Sequence, residues 1–298
     1  MSKLDTDCLM DALLSLLAGL ISHASPDPPG NETAIATYLH KELEAFGFNV
    51  IRDEFLPGRV NIIARLPGKG FSPGLVFSAH MDTMPIGDTR WQHPPFFPQI
   101  VGDKIYGRGS ADMKSGIAAM IIAASCLKNE GLKLSGDLIL AFSAGKSTDC
   151  IGAKRMVEIG ALKDAGWLLI SEPSSLRLIN AETGALWLNV ITRGSSGHSS
   201  ALGGNNAIQK LITFCKKLSR LKLSSKPHPT LRFPSIALNG LAAGNAPNMR
   251  PDYARATLDI RTLPSMKTDL IIEKLRAISD SSFSFEVIDE KLPIETEA

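Results

Sequence analysis

Apolar positions along the chain fall into two rhythms, one fitting helices and one fitting strands. Residues 4–22 carry apolar side chains at helical spacing and stop at the breaker Ser25-Pro-Asp-Pro-Pro-Gly30. Ile35, Leu39, Leu43 and Phe46 recur on one face of a second helix, over residues 32–46, with Gly47 at its end. Strand-like runs follow at 48–55 and 60–66. The run Leu75–Ala79, bounded by Gly74 and Pro85, has no polar alternation beyond Ser78 and predicts a buried strand. A near-continuously apolar helix at 117–127, a strand at 137–143, a helix at 151–158 and a strand at 167–171 complete this part. Strands alternating with helices predict an α/β fold with a mostly parallel sheet sandwiched by helices. The order then changes: strand 186–192, helix 206–221, strands 230–238 and 254–261, helix 267–278, strand 283–288. That β-α-β-β-α-β order predicts a ferredoxin-like α+β domain, with the boundary near residue 182.

Composition narrows the function classes. A chain of 298 residues suits one large or two medium domains. The net charge of +2, without a dense basic block, argues against nucleic acid or a membrane surface as partner. Cys8, Cys126, Cys150 and Cys215 are widely spaced and form no CxxC pair; free thiols in a reducing compartment are expected. The N-terminus is acidic and lacks the start of a signal peptide, and the apolar stretch 9–21 is too short to span a bilayer. A cytoplasmic location is the expectation.

The candidate chemistry sits at strand ends. His80 and Asp82 close the strand at 75–79, and positions two apart on a strand share a face. Asp82 can therefore accept one ring N–H of His80 and leave the other nitrogen for a metal. Asp112 follows a glycine-punctuated loop just before a helix, and Glu172 directly follows the strand at 167–171. One imidazole and two carboxylates form a suitable nitrogen and oxygen set for zinc.

Six ordered motifs carry a family resemblance running from about residue 10 to 290. They are His80-x-Asp82, Gly107-x-Gly-x-x-Asp-Met-Lys-x-Gly116, Ser171-Glu-Pro173, Gly194-Ser-Ser-Gly-His-Ser199, Asn248-Met-Arg-Pro251 and Asp259-Ile-Arg261. Together they resemble the zinc-dependent aminoacylases, acetylornithine deacetylases, succinyl-diaminopimelate desuccinylases and glutamate carboxypeptidases. The resemblance implies hydrolysis of the amide bond of an N-acyl amino acid or small peptide with a free carboxylate. It implies a metal-binding catalytic domain at 1–181, an inserted lid and dimerisation domain at 182–291, and a stub at 292–298 returning to the first domain. His80 and Glu172 are implied as ligands of one metal, Asp112 as the bridge between two, and Asp82 as the orienter of His80. The Asp112–Met113 peptide is implied to be cis. His198 is implied to steady the oxyanion, commonly across a homodimer, while Asn248 and Arg261 hold the substrate's backbone and carboxylate. Zinc is the implied metal, with cobalt and manganese as alternatives.

One segment departs from the pattern. After the strand at 137–143 the family shows two adjacent glutamates, a general base and a ligand of the second metal. Aligned on Gly152-Ala153, this chain has Lys146 and Ser147 there. A lysine ammonium has no lone pair to take a proton, and serine is a poor zinc ligand. Asp149 is out of register. The family's last metal-binding histidine lies after the lid, whereas the last histidine here is His228. One metal site kept, the second lost and hydrolysis impaired is therefore the expectation, with Lys146 offsetting Asp112. The alternative is an inactive, truncated or degenerate relative that binds a metal or ligand or dimerises. A sheet lacking its last elements would also expose apolar surface.

Three other motifs do not hold. Gly145-Lys-Ser-Thr148 lacks the upstream glycine of a phosphate-binding loop, since Leu140 stands there. Gly107-x-Gly109 lacks the third glycine of a dinucleotide fingerprint, and the Gly194 segment does not fit a nucleophile elbow.

Overall fold

The computed structural model describes residues 6–88, 90–224 and 226–296. The chain divides into two compact units, residues 1–177 and 178–298. The first contains α1 (Thr6–Ser22), α2 (Thr33–Ala45), β1 (Asn49–Leu56), β2 (Arg59–Leu66), β3 (Gly74–His80), β4 (Gln99–Val101), β5 (Lys104–Tyr106), α3 (Ser115–Asn129), β6 (Leu138–Ser143), α4 (Ile151–Glu158) and β7 (Ala165–Ile170). The first two positions of the predicted N-terminal helix lie outside the described residues.

The main sheet has the order β1-β2-β6-β3-β7 and is mixed rather than mostly parallel. β3 runs parallel to both β6 and β7, whereas β1–β2 and β2–β6 are antiparallel. The cause is local. Only Pro57-Gly58 separates β1 from β2, with Gly58 at φ 78°, and so short a connection can join only antiparallel strands. Alternation then sorts the sheet's side chains onto two faces. Ile62, Ala64, Leu138, Leu140 and Phe142 pack with residues of α1, α2 and α3, while Ile63, Val76, Ile139 and Ala141 pack with Met156 of α4. The run from Ser110 to Asn129 is apolar and long enough to cross a membrane by composition; here it packs against α1, β3 and β6 as a core helix. At one edge of this sheet, β7 exposes Trp167, Leu168, Leu169 and Ile170.

The second unit contains β8 (Ala181–Glu182), β9 (Gly184–Arg193), β10 (Gly197–His198), α5 (Ala207–Leu218), β11 (Ser235–Ala243), β12 (Met249–Arg250), β13 (Tyr253–Thr262), α6 (Thr268–Ala277), β14 (Phe283–Lys291) and β15 (Ile294–Glu295). Its sheet, β11-β13-β9-β14, is antiparallel throughout, which is the ferredoxin-like order the pattern predicts. Leu186, Leu188 and Val190 of β9 and Ala254, Ala256, Leu258 and Ile260 of β13 meet Leu211 and Phe214 of α5 and Ile271 and Leu275 of α6. The strand expected at 230–238 instead spans 235–243. Pro234 has no N–H for a ladder, and His228 and Arg232 close a turn before it. β15 pairs with β8, so residues 294–295 belong to this unit's edge.

Candidate metal centre

Parallel strands bring their carboxyl ends to one sheet edge, and three such ends build this centre. In the β3–β6 ladder His80 lies opposite Ser143, and in the β3–β7 ladder Ser78 lies opposite Ile170. His80 ends β3, the Lys146 loop leaves β6, and Glu172 follows β7. The fourth contributor, Asp112, comes from the kinked turn Ser110–Lys114 that precedes α3, where the backbone of Asp112 and Met113 leaves the helical region. Gly109, at φ 80°, opens that turn, and a Cβ there would stand 2.6 Å from Thr83 Cγ2. The Asp112–Met113 peptide is cis, as the resemblance implies.

His80, Asp112 and Glu172 converge, with candidate ligand atoms all within 4.8 Å of one another. His80 Nε2 lies 3.3 Å from Asp112 Oδ1 and 3.9 Å from Glu172 Oε1. That nitrogen is buried and has no hydrogen-bond partner among the described residues. A buried ring nitrogen facing two carboxylates without a hydrogen bond fits a divalent cation. The donor set of one nitrogen and two carboxylates points the same way.

The orientation of His80 differs in detail from the expectation. Its Nδ1 is 2.9 Å from the backbone carbonyl of Asp82 and 3.6 Å from the Asp82 carboxylate. Each Asp82 carboxylate oxygen already accepts a backbone N–H, Oδ1 from Lys146 at 2.9 Å and Oδ2 from Ser147 at 3.0 Å. Asp82, fully buried, is therefore the fastening point of the loop that follows β6. Lys146 reaches the cluster, but its Nζ pairs with Glu172 Oε1, at 3.7 Å, rather than with Asp112 as expected. Both side chains are nearly half exposed, so solvent keeps the pair's strength to about 1 kcal/mol or less. Ser147 Oγ lies 3.9 Å from Met84 Sδ, and Asp149 pairs with Lys154.

The remaining candidates belong to the second unit. His198 is exposed in β10, with Nδ1 2.7 Å from Ser200 Oγ. The Asn248 carbonyl accepts the N–H of Ser199, the residue after His198. Arg261, on β13, donates to Asp259 at 2.9 Å, so part of its charge is already engaged.

A buried charge cluster carries no motif in the sequence. Arg59 donates to Glu32 at 2.7 Å and to Asp27 at 3.1 Å, and both acids are essentially unexposed. Burial pushes the Glu32 carboxyl from 4.5 up to about 7; Arg59 opposes the rise, while Asp82 and Asp27 add to it. The folded protein thus holds this proton more tightly than the unfolded chain does. Stability should rise as pH falls from about 7 toward 4.5, by up to about 3 kcal/mol for this group alone. Glu32→Gln should flatten that part of the profile, measured by urea unfolding across the interval. An unchanged slope would show that Glu32 is not the titrating group. Lys114, also buried, donates to the Leu20 and His23 carbonyls at the end of α1, and burial pushes its pKa down to about 7.

Comparison with known proteins places this geometry. Residues 76–294 match peptidase family M20/M25/M40. A probable succinyl-diaminopimelate desuccinylase of Staphylococcus aureus is 30% identical over 288 residues, covering 87% of this chain and 69% of its own. An acetylornithine deacetylase of Vibrio cholerae is 32% identical over 275 residues, with 87% and 70% covered. Among solved structures, a tripeptidase from Staphylococcus aureus superposes with a TM-score of 0.74 at 20% identity, covering 96% of this chain and 77% of that one. A dinuclear metal-binding M20 peptidase from Bacillus subtilis gives 0.74 at 15% identity, with 98% and 77% covered. At these identities the structural likeness speaks for the fold.

Proposed function

This chain belongs to peptidase family M20/M25/M40, a hydrolase family, and from that premise we propose that it is a metal-dependent amidohydrolase with an impaired proton-transfer step. The substrate class is a small N-acyl amino acid or peptide with a free carboxylate; relatives named as a desuccinylase and a deacetylase support the acyl-removing part of that reading. His80, Asp112 and Glu172 would hold a single divalent cation, zinc by the donor set. When bound, the cation supplies Lewis acidity toward the scissile carbonyl and acidifies water.

The observation that carries the impairment is Lys146, whose Nζ sits 3.7 Å from Glu172. It brings an ammonium, a donor without a lone pair, to the mouth of the centre where a proton acceptor is needed. The same charge disfavours a second cation beside the first. His80 is held by the Asp82 carbonyl with its other nitrogen free for the cation. In the second unit, His198 is assigned to the developing oxyanion, and Asn248 and Arg261 to the substrate's backbone and carboxylate. That unit is assigned the role of lid and of contact surface in a homodimer.

Turnover of N-acetyl- and N-succinyl-amino acids by zinc-loaded protein tests the reading. Slow hydrolysis abolished by a chelator is the expected result. A protein that binds zinc and these acids yet shows no chelator-sensitive turnover favours the second reading, a binding protein on the same fold. The absence of an acceptor at position 146 is what favours that alternative.

A further inference from the structure

The loop that carries Lys146 is held from two sides, and only one of them is the Asp82 carboxylate. Thr148 Oγ1 donates to Asp27 Oδ2 at 2.7 Å and accepts from Arg59 Nη2 at 3.0 Å. Arg59 is itself clamped between Asp27 and Glu32, so the hydroxyl meets a buried cluster whose guanidinium is held by two carboxyl groups. Segment 25–27 also braces the residues that follow His80. The Asp27 N–H donates to the Thr83 carbonyl at 2.8 Å, the Thr83 N–H to the Ser25 carbonyl at 2.9 Å, and Ser25 Oγ to the Met81 carbonyl at 2.7 Å. Residues 81–83 and 146–148 are therefore tied to the same segment, and to each other through Asp82.

Beyond Thr148 the chain passes through Asp149 and Cys150, both at φ 55°. Two successive non-glycine residues in the left-handed region are disfavoured without outside support. Hydrogen bonds to charged groups are strong enough to supply it.

We propose that Thr148 is a positioning residue of the metal centre: through it the Asp27–Arg59–Glu32 cluster holds the Lys146–Ser147 turn on Asp82 and so fixes the His80 ring. The proposal rests on reading His80, Asp112 and Glu172 as a metal centre. Of the cluster's members, Thr148 is the one that can be altered without stranding a buried charge.

The test compares the wild-type chain with Thr148→Val, which keeps the shape and loses the hydroxyl, and Thr148→Ser, which restores the hydroxyl. Thr148→Ala replaces the valine variant if the second methyl disturbs folding. Amide hydrogen exchange over residues 144–150 is followed in metal-free protein, and zinc affinity is measured by competition with a chromophoric chelator. In Thr148→Val, exchange at residues 146 and 147 should quicken by about tenfold, and zinc affinity should fall by roughly 10–100-fold. Thr148→Ser should recover both. A merely structural role would lower thermal stability and leave the affinity of the folded protein unchanged. Wild-type affinity in Thr148→Val, unchanged exchange, or a serine variant as weak as the valine variant would each overturn the proposal. Wild-type protein that takes up no zinc would overturn the metal-centre reading instead, and the exchange measurement would then decide the anchoring role alone.

Discussion

Asp112→Ala should weaken the affinity of the folded protein for zinc by more than about 100-fold, beyond what loss of an outer-layer partner costs. The carboxylate is 3.3 Å from His80 Nε2 and half exposed, so it is aimed at the cluster without being needed for packing. Its removal leaves one imidazole and Glu172, and Glu172 is already shared with Lys146. Two donors, one of them partly neutralised, cannot complete a zinc site that normally has at least three protein ligands. Because the side chain is solvent-accessible, unfolding by urea should change little, which separates ligand loss from misfolding. Isothermal titration of both proteins provides the comparison. Equal affinities would remove Asp112 from the centre.

Lys146→Glu should raise kcat/KM toward an N-acyl amino acid by about 10²–10⁴-fold, the usual contribution of a positioned general base. The backbone there is already fixed, since the Lys146 N–H donates to Asp82 and the next residue's N–H does the same. Substituting the side chain therefore changes the chemistry offered without having to build a new loop. A glutamate brings a proton acceptor and removes the ammonium beside Glu172. Those two effects separate with Lys146→Met, which removes the charge and supplies no acceptor. The methionine variant should bind zinc at least as well as wild type and gain little turnover. A glutamate variant no faster than the methionine variant would count against the lost-base account and favour a binding role.

Much of this centre is legible in the amino-acid sequence, because its parts lie in short ordered motifs at strand ends. His80, Asp112 and Glu172 each follow a recognisable element, and parallel pairing of β3 with β6 and β7 does the rest. The helical and strand rhythms place the main elements to within a few residues, since buried faces repeat with fixed periods. Strand pairing is harder to read from those rhythms, because a period of two is the same in parallel and antiparallel strands. The mixed sheet follows instead from Pro57-Gly58, a turn too short for a parallel crossover. The small hairpin of β4 and β5 is too short to leave a periodic signal. Asp82 reads from its spacing as the partner of a ring, yet its carboxylate holds a loop more than sixty residues away. The Asp27–Arg59–Glu32 cluster with Thr148 leaves no trace in the sequence, because its four residues come from three separate stretches and meet only in the folded chain.

Native mass spectrometry of zinc-equilibrated protein, with metal content counted per chain, tests the central claim most directly. One retained cation per chain, lost in Asp112→Ala, is the predicted result. Two tightly held cations per chain would contradict the role given to Lys146, and none would contradict the centre itself.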